Sequence, residues 1–384
     1  MLTNGISFEN FRIKKKNSKV KKKLLSILKN KSEILSSLSI NYNDSYSKKN
    51  IKKYKSFKNY RIFGMGGSIL GTQAIYDFLK KKITKKFFFI DNLQIKKNKN
   101  LKEKVLNLVV SKSGNTIETI VNSNIFVKKK DKNIFITENK KSYLHILAQK
   151  LKAEIIHHNN FIGGRYSVLS EVGMLPAELM GLDPKKFRQL NNLVKNKSFL
   201  QSLVSTVSST LYFIKKKKFN SVIINYDEKS ENIFKWYQQL IAESLGKKGK
   251  GLLPIISTMP KDNHSVMQLY LDGIQNNFFT FYYVKDKNPE KINNNFILPS
   301  QNFLKHKNLS NIIYAQKKAS EIVFSKKKIP FRSFEIKNRD EKTLGELFCF
   351  FILETILLGK CLNLNPFDQP AVELIKNETR KILL

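Results

Sequence analysis

"NYRIFGMGGSILGTQAIYDFLKKK", residues 59–82, decides how the rest of the chain is read. A β-prone run ends at Phe63, a glycine turn spans Gly64–Gly67, and from about Ser68 apolar residues recur at helical spacing. A strand, a small-residue turn and a helix in this order form half of a β-α-β unit. The same alternation continues on both sides: "KKFFFIDN" (85–92), "VLNLVVSKSG" (105–114) and "KNIFITEN" (132–139) are short apolar runs separated by helical stretches. After a polar helical region at 187–211 it resumes with "FNSVIINYD" (219–227), a helix in "ENIFKWYQQLIAESLGK", then "GLLPIIST" and "NNFFTFYYVK". Short strands alternating with helices predict an α/β protein with parallel sheets sandwiched by helices, occurring twice. The expected division is a lysine-rich helical extension over 1–45 lying on the first unit, a first α/β unit over 46–185, and a second over 186–384 whose C-terminal helices pack back on the first.

Composition narrows the function. The 384 residues carry 70 Lys+Arg against 30 Asp+Glu, a net charge of +40, which is the footprint expected of a nucleic-acid binder. Only seven of these residues are Arg, however, and the planar Arg fork is what base and phosphate recognition favours. Lys, Asn and Ile are abundant together and share A/T-rich codons, so runs such as Lys215–Lys218 read as solvated surface. The expectation is no specific nucleic-acid partner. Cys349 and Cys361 have no metal-ligand spacing and suit a reducing cytosol. The start of the chain has no apolar core of a signal peptide. Leu344–Leu358 contains Glu346 and Glu354 and is too short to span a bilayer, so a buried helix and a cytoplasmic protein are expected.

Two strand-to-helix turns can hold an anion. "GMGGSILG" (64–71) brings backbone N–H groups and a helix N-terminus together. The residue three after Gly66 is Ile69, so the dinucleotide spacing G-x-G-x-x-G is not met. Asp91 follows "FFFI" where a ribose ligand would stand, which leaves a nicotinamide enzyme open at this point, as is a turn that merely packs helix on strand. "SKSGNTIET" delivers Ser111, Lys112, Ser113, Gly114, Asn115 and Thr116 to a helix start, as a phosphate cradle, as a capping box in "TIET", or as both together. No G-x-x-x-x-G-K-[ST] occurs, so a nucleoside triphosphate is not implied.

Further along, Arg165 follows Gly163 and Gly164, and Gln239 and Glu243 share a helix face at i and i+4. A carboxylate there is a candidate general base, and a cation is a candidate partner for an oxyanion. His264 in "PKDNHSVMQL" is flanked by small polar residues, and Gln369 and Lys376 lie seven apart at the end of the chain.

Taken in order, "GMGGSILG", "SKSGNTIET", "GGRYSVLS", "QQLIAESLGKKGKG", "DNHSVMQLYLDG" and "NPFDQPAVELIK" resemble the phosphoglucose isomerase family from about Tyr60 to Lys376. The resemblance implies two sugar-isomerase (SIS) domains with flavodoxin-like sheets. It implies a sugar-phosphate site made of Gly67 and Ser68 with Ser111, Lys112, Ser113, Gly114, Asn115 and Thr116. It also implies Glu243 as the base that moves a proton between C2 and C1 through a cis-enediolate, Gln239 as a substrate contact, and Arg165 with Gly164 against the enediolate charge. His264 and Lys376 would open the sugar ring with Gln369 nearby, the histidine coming from the neighbouring subunit of a homodimer, with no cofactor or metal. Ala371 stands where the family has Gly in "DQPGVE", which predicts a small shift of the turn carrying Gln369. A phosphoglucose/phosphomannose isomerase and a sugar-phosphate-sensing regulator that binds nucleic acid are the competing readings. The regulator would carry a recognition domain, which 1–45 does not supply, and would not need Glu243 or Lys376.

Overall fold

The computed structural model describes residues 1–13, 17–30, 32–93 and 104–384. Within them the chain builds two five-stranded sheets. The first consists of β2 (Asn59–Phe63), β3 (Lys86–Ile90), β4 (Val105–Val110), β5 (Lys132–Thr137) and β6 (Glu154–His157), ordered β3-β2-β4-β5-β6 and parallel throughout. The second holds β1 (Ile6–Glu9), β7 (Asn220–Asn225), β8 (Leu253–Thr258), β9 (Asn277–Val284) and β10 (Phe331–Ile336), ordered β1-β10-β9-β7-β8. Strands β7 to β10 are parallel, and β1 is antiparallel to β10. The expected doubled α/β architecture is therefore present. Strands such as "LNLVV" and "NFFTFYYV" are buried on both faces, as a parallel sheet covered by helices requires.

The helices used below are α1 (Ser18–Lys29), α2 (Leu70–Phe78), α3 (Ile117–Phe126), α4 (Tyr143–Lys150), α5 (Glu171–Leu179), α6 (Lys197–Lys215), α7 (Glu231–Leu245), α8 (Leu309–Lys326), α9 (Glu341–Cys361) and α10 (Val372–Leu383). The expected N-terminal helix forms as α1, while residues 14–16 and 31 of the 1–45 extension lie outside the described residues. It packs against α9 and α6, and β1 extends the second sheet, so residues 1–45 do not simply lie on the first unit. Helix α9 is the expected buried apolar helix. Glu354 on it is ion-paired with Arg332 of β10, and Glu346 accepts from Thr3 Oγ1 at 2.6 Å. Breaking such a buried pair by removing one partner costs about 3–5 kcal/mol. Helix α10 departs from expectation: none of its residues is buried in the single chain, and Leu374, Ile375, Ile382 and Leu383 point their apolar surface outward.

In an open parallel sheet the ligand crevice lies beyond the strand C-termini where strand order reverses. In the first sheet this point is between β2 and β4, where the turns after Phe63 and Val110 sit side by side. In the second it is between β7 and β9, but there the first unit closes it. Arg339 pairs with Asp227 and stacks 5.1 Å from the Phe78 ring, Asn232 bonds Asp77, and Lys81 reaches Asp286 at 3.2 Å. One crevice stays open and the other is used for packing.

Candidate active site

The open crevice begins with a close backbone approach. Gly67, in the short 3-10 turn after β2, lies so near the next glycine turn that an added Cβ would stand 2.1 Å from Gly164 C. No side chain fits there, which explains the glycine and brings "GMGGS" onto "GGRYS". Ser68 closes this turn and is half-buried.

Across the reversal point the "SKSGNT" turn follows β4. Ser111 Oγ is buried and lies 2.9 Å from Thr116 Oγ1, Gly114 N–H donates to Ser111 O at 3.2 Å, and Ser113 Oγ accepts from Asn115 N–H at 3.2 Å. Thr116 occupies the N-cap position of α3, yet its hydroxyl caps nothing, so the capping box expected in "TIET" does not form. Two of the side chains expected in this cradle are used structurally. Asn115 Oδ1 accepts from Tyr143 N–H at 3.0 Å at the start of α4. Lys112 Nζ donates to Asn160 O at 2.7 Å and lies 3.6 Å from Glu138 Oε1. Burial pushes the Lys112 ammonium below the ordinary lysine range.

Helix α7 carries the reacting groups because its apolar face is wide. Ile233, Phe234, Trp236, Tyr237, Leu240 and Ile241 are buried, which anchors it between α2 and α9. Each such side chain contributes about 1.5–3 kcal/mol when fully buried. The polar stripe left over presents Gln239 and Glu243, with Gln239 Nε2 donating to Glu243 Oε1 at 2.9 Å. Gln239 Oε1 is buried with no hydrogen-bond partner.

Arg165 faces them from the 3-10 turn Gly164–Leu169, with 2% of its surface exposed. All five of its N–H groups are used: Nε on Ser244 Oγ at 2.8 Å, Nη1 on Glu243 Oε2 at 3.1 Å and Gln369 Oε1 at 2.7 Å, and Nη2 on Pro366 O at 2.7 Å and Asp368 O at 3.0 Å. Tyr166 Oη donates to Pro366 O at 2.9 Å and stands 2.8 Å from Ser244 Oγ, so the serine proton is directed to the tyrosine. Trp236 Nε1 donates to Arg165 O at 3.1 Å. Ser244, Tyr166 and the 366–368 carbonyls were not singled out from the sequence. Their signal was adjacency to Glu243 and Arg165 in "ESLGK" and "GGRYS". Beside Glu243 and Gln369 opens a cavity of about 550 Å³ that also touches Lys247, Asp368 and Ala371. Ala371 has φ −66° and ψ −26°, a conformation any residue adopts, so alanine introduces no backbone strain at the turn after Gln369.

His264 and Lys376 are not brought to this cavity within one chain. Gln238 of α7 bonds Pro254 O at the start of β8, so Glu243, further along α7, lies beyond the N-terminal end of that strand. His264 follows the strand's C-terminal end, in the 3-10 turn Lys261–His264, and is exposed. Six residues of strand separate the two ends by roughly 20 Å. Lys376 sits on exposed α10 and pairs with Glu373 at 2.6 Å. Among the described residues no cluster of three or more His, Cys, Asp or Glu side chains is arranged to hold a metal ion.

Comparison with known proteins adds four findings. Residues 45–384 match the family model described as phosphoglucose isomerase. The chain is 34% identical over 367 residues to a glucose-6-phosphate isomerase of Methanocaldococcus jannaschii, covering 87% of each chain. In three dimensions it is similar to a hypothetical protein of Thermus thermophilus, with TM-score 0.83, 22% identity and 95% and 94% of the two chains covered. It is likewise similar to a glucose-6-phosphate isomerase of Chlamydia trachomatis, with TM-score 0.76, 17% identity and 99% and 89% covered.

Proposed function

The chain belongs to the phosphoglucose isomerase family, and on that premise we propose that it interconverts glucose 6-phosphate and fructose 6-phosphate through a cis-enediolate. It is an isomerase of this family; the assignment of each step to a residue is our reading. The observation that carries it is the arrangement around Glu243, which lines the cavity and whose two oxygens are held by Gln239 and Arg165.

Glu243 takes the C2 proton of the open-chain aldose, and the C2–H electron pair forms the C1–C2 double bond while the C1 carbonyl oxygen takes up the negative charge. The O2 hydroxyl proton passes to O1, and the same carboxyl returns its proton to C1 as C2 becomes the carbonyl. The negative charge that develops on the enediolate oxygens is met by Arg165 Nη1, where an enediolate oxygen takes the place of the Gln369 amide oxygen. Gln239 Oε1, a buried acceptor without a donor, is suited to a sugar hydroxyl. The phosphate sits between the turns at Gly67–Ser68 and Ser111–Thr116, on backbone N–H groups and hydroxyls. Its binding energy orients the reacting carbons.

His264 and Lys376 open the ring. Since His264 stands a strand length from Glu243 in its own chain, it serves the site of a second copy, and the working unit is a homodimer. The exposed apolar side chains of α10 fit that assembly. We place the unit boundary near residue 186 and the protein in the cytoplasm. Free Cys349 and Cys361 support that location, and no helix among the described residues is long and apolar enough to cross a membrane. A coupled assay with fructose 6-phosphate, run beside Glu243→Gln, tests the reading. Turnover should fall at least about 10²-fold in the variant, and an unchanged rate would remove Glu243 from the mechanism.

A further inference from the structure

Helix α7 ends in a fixed hairpin turn. Lys247 N–H donates to Lys250 O at 3.0 Å and Lys250 N–H to Lys247 O at 2.9 Å, with Lys248 and Gly249 at φ +53° and +66°. Two central residues with positive φ make the tight type I′ turn, which admits little variation in where Lys247 stands. The Lys247 side chain is only 12% exposed, and its ammonium crosses to the loop that carries Gln369. There it lies 2.6 Å from Asp368 Oδ1 and also bonds the Asn365 carbonyl, while Asn365 Nδ2 donates to Asp368 Oδ2 at 3.0 Å. The hydrogen bond from Lys247 holds the Asp368 carboxyl below the usual carboxylate range.

The rest of this loop is also gathered by cations, mostly through its backbone, with Lys23 adding the Asn363 amide oxygen at 3.3 Å and Arg165 the Gln369 amide oxygen at 2.7 Å. Lys23 takes Lys360 O at 2.6 Å and Lys250 takes Leu362 O at 3.1 Å, satisfying carbonyls left open at the end of α9. Arg165 takes the Pro366 and Asp368 carbonyls. Among the described residues, Lys247–Asp368 is the ion pair that ties this loop by a side chain, and it forms part of the cavity wall. Gln369 is the next residue. Its Oε1 takes one Nη1 proton of Arg165 while Glu243 takes the other. Displacing the loop therefore changes both the Gln369 amide and the donor that faces the base.

We propose that Lys247, acting through Asp368, is a positioning residue that sets Gln369 and the Arg165 guanidinium for the isomerisation. The claim rests on the functional reading above. It predicts that Lys247→Met and Asp368→Asn each lower kcat/KM about tenfold, that the double variant is no worse than either, and that Lys247→Arg keeps most of the activity. Screening of the anionic substrate is common to both proteins, so because Asp368 is half-exposed wild-type kcat/KM should decline more steeply between about 0.05 and 0.5 M salt than that of Lys247→Met. A purely structural role would lower the melting temperature and leave this salt profile in place. Amide hydrogen exchange separates the proposal from the activity itself. In Lys247→Met, and in Asp368→Asn should the first fold poorly, exchange over 362–372 should quicken several-fold with the rest of the chain unchanged. Unchanged exchange there overturns the positioning role whether or not the wild type turns over sugar phosphates. Wild-type kcat/KM in Lys247→Met overturns it equally. A wild type without isomerase activity but with the expected exchange change sinks only the functional reading.

Discussion

Arg165 and Glu243 face each other at 3.1 Å although they are 78 residues apart in sequence, one on a 3-10 turn beside the first sheet and the other on the helix that follows β7. A buried guanidinium against a half-buried carboxylate is costly to assemble unless every donor is used, and here all five are. Replacement by lysine keeps the charge but provides no fork. Arg165→Lys should lower kcat by about 10²–10³-fold and also reduce thermal stability, because Ser244 and the Asp368 carbonyl lose their donor and the Pro366 carbonyl keeps only Tyr166. Steady-state kinetics and a melting curve check both parts, and a variant with wild-type kcat would take Arg165 out of the charge-stabilising role.

The phosphate cradle makes a different prediction. Ser113→Ala with Thr116→Ala removes two hydroxyls without touching the reacting groups, so KM for the phosphorylated sugar should rise about tenfold or more while kcat changes less. Lys112→Met should matter less than the double variant, since its ammonium is already bonded to Asn160 and Glu138. Isothermal titration with fructose 6-phosphate reads the same ordering, and the reverse ordering would move the cradle onto the lysine.

Subunit sharing can be tested with two inactive proteins. If Glu243 of one copy works with His264 of another, Glu243→Gln and His264→Ala homodimers unfolded and refolded together should regain activity. Random pairing gives half heterodimers, each with one intact site, and so about a quarter of wild-type activity. A mixture that stays inactive places both residues in one chain's site.

His158, fully buried at the end of β6, has its Nδ1 3.1 Å from Asn159 O and 3.9 Å from Glu171 Oε1, and its Nε2 has no partner. Burial lowers its pKa to about 4, against 6.5 for the free side chain. Below pH 6.5 the unfolded chain takes up a proton that the folded chain refuses until about pH 4, so stability falls as pH drops through that window. The loss amounts to about 3 kcal/mol at its full extent. Urea denaturation between these pH values should show a flatter profile for His158→Gln; an equally steep one would place the acid sensitivity elsewhere.

The doubled α/β pattern was legible because long apolar runs at β4, β5, β7 and β9 alternate with helices. Strand β10 was not, since "FRSFEI" carries Arg332 and Glu335, and only Glu354, 22 residues later, makes a buried arginine tolerable. Strands β1 and β6 are four residues each, too short for period-two patterning to stand out. At the site, Glu243, Gln239, Arg165 and Gln369 could be named from local context and do converge. Lys247 and Asp368 could not, because a lysine in a chain with 70 basic residues gives no signal until its partner is seen. The exposed apolar side of α10 ran against the expectation of packing within the chain, since sequence periodicity marks an apolar face without telling which surface covers it.

The antiparallel pairing of Ile6–Glu9 with Phe331–Ile336 joins the beginning of the chain to a strand made near its end. During synthesis the N-terminal strand emerges first and has no partner until most of the second unit has followed it, so the second sheet is completed last, by a segment that has waited through the whole of translation. A fragment cut near residue 186 would lack that strand and leave Phe331–Ile336 as a bare edge, a surface that invites pairing with other chains. The two sheets resemble separable modules, yet the polypeptide cannot be divided between them without leaving one incomplete.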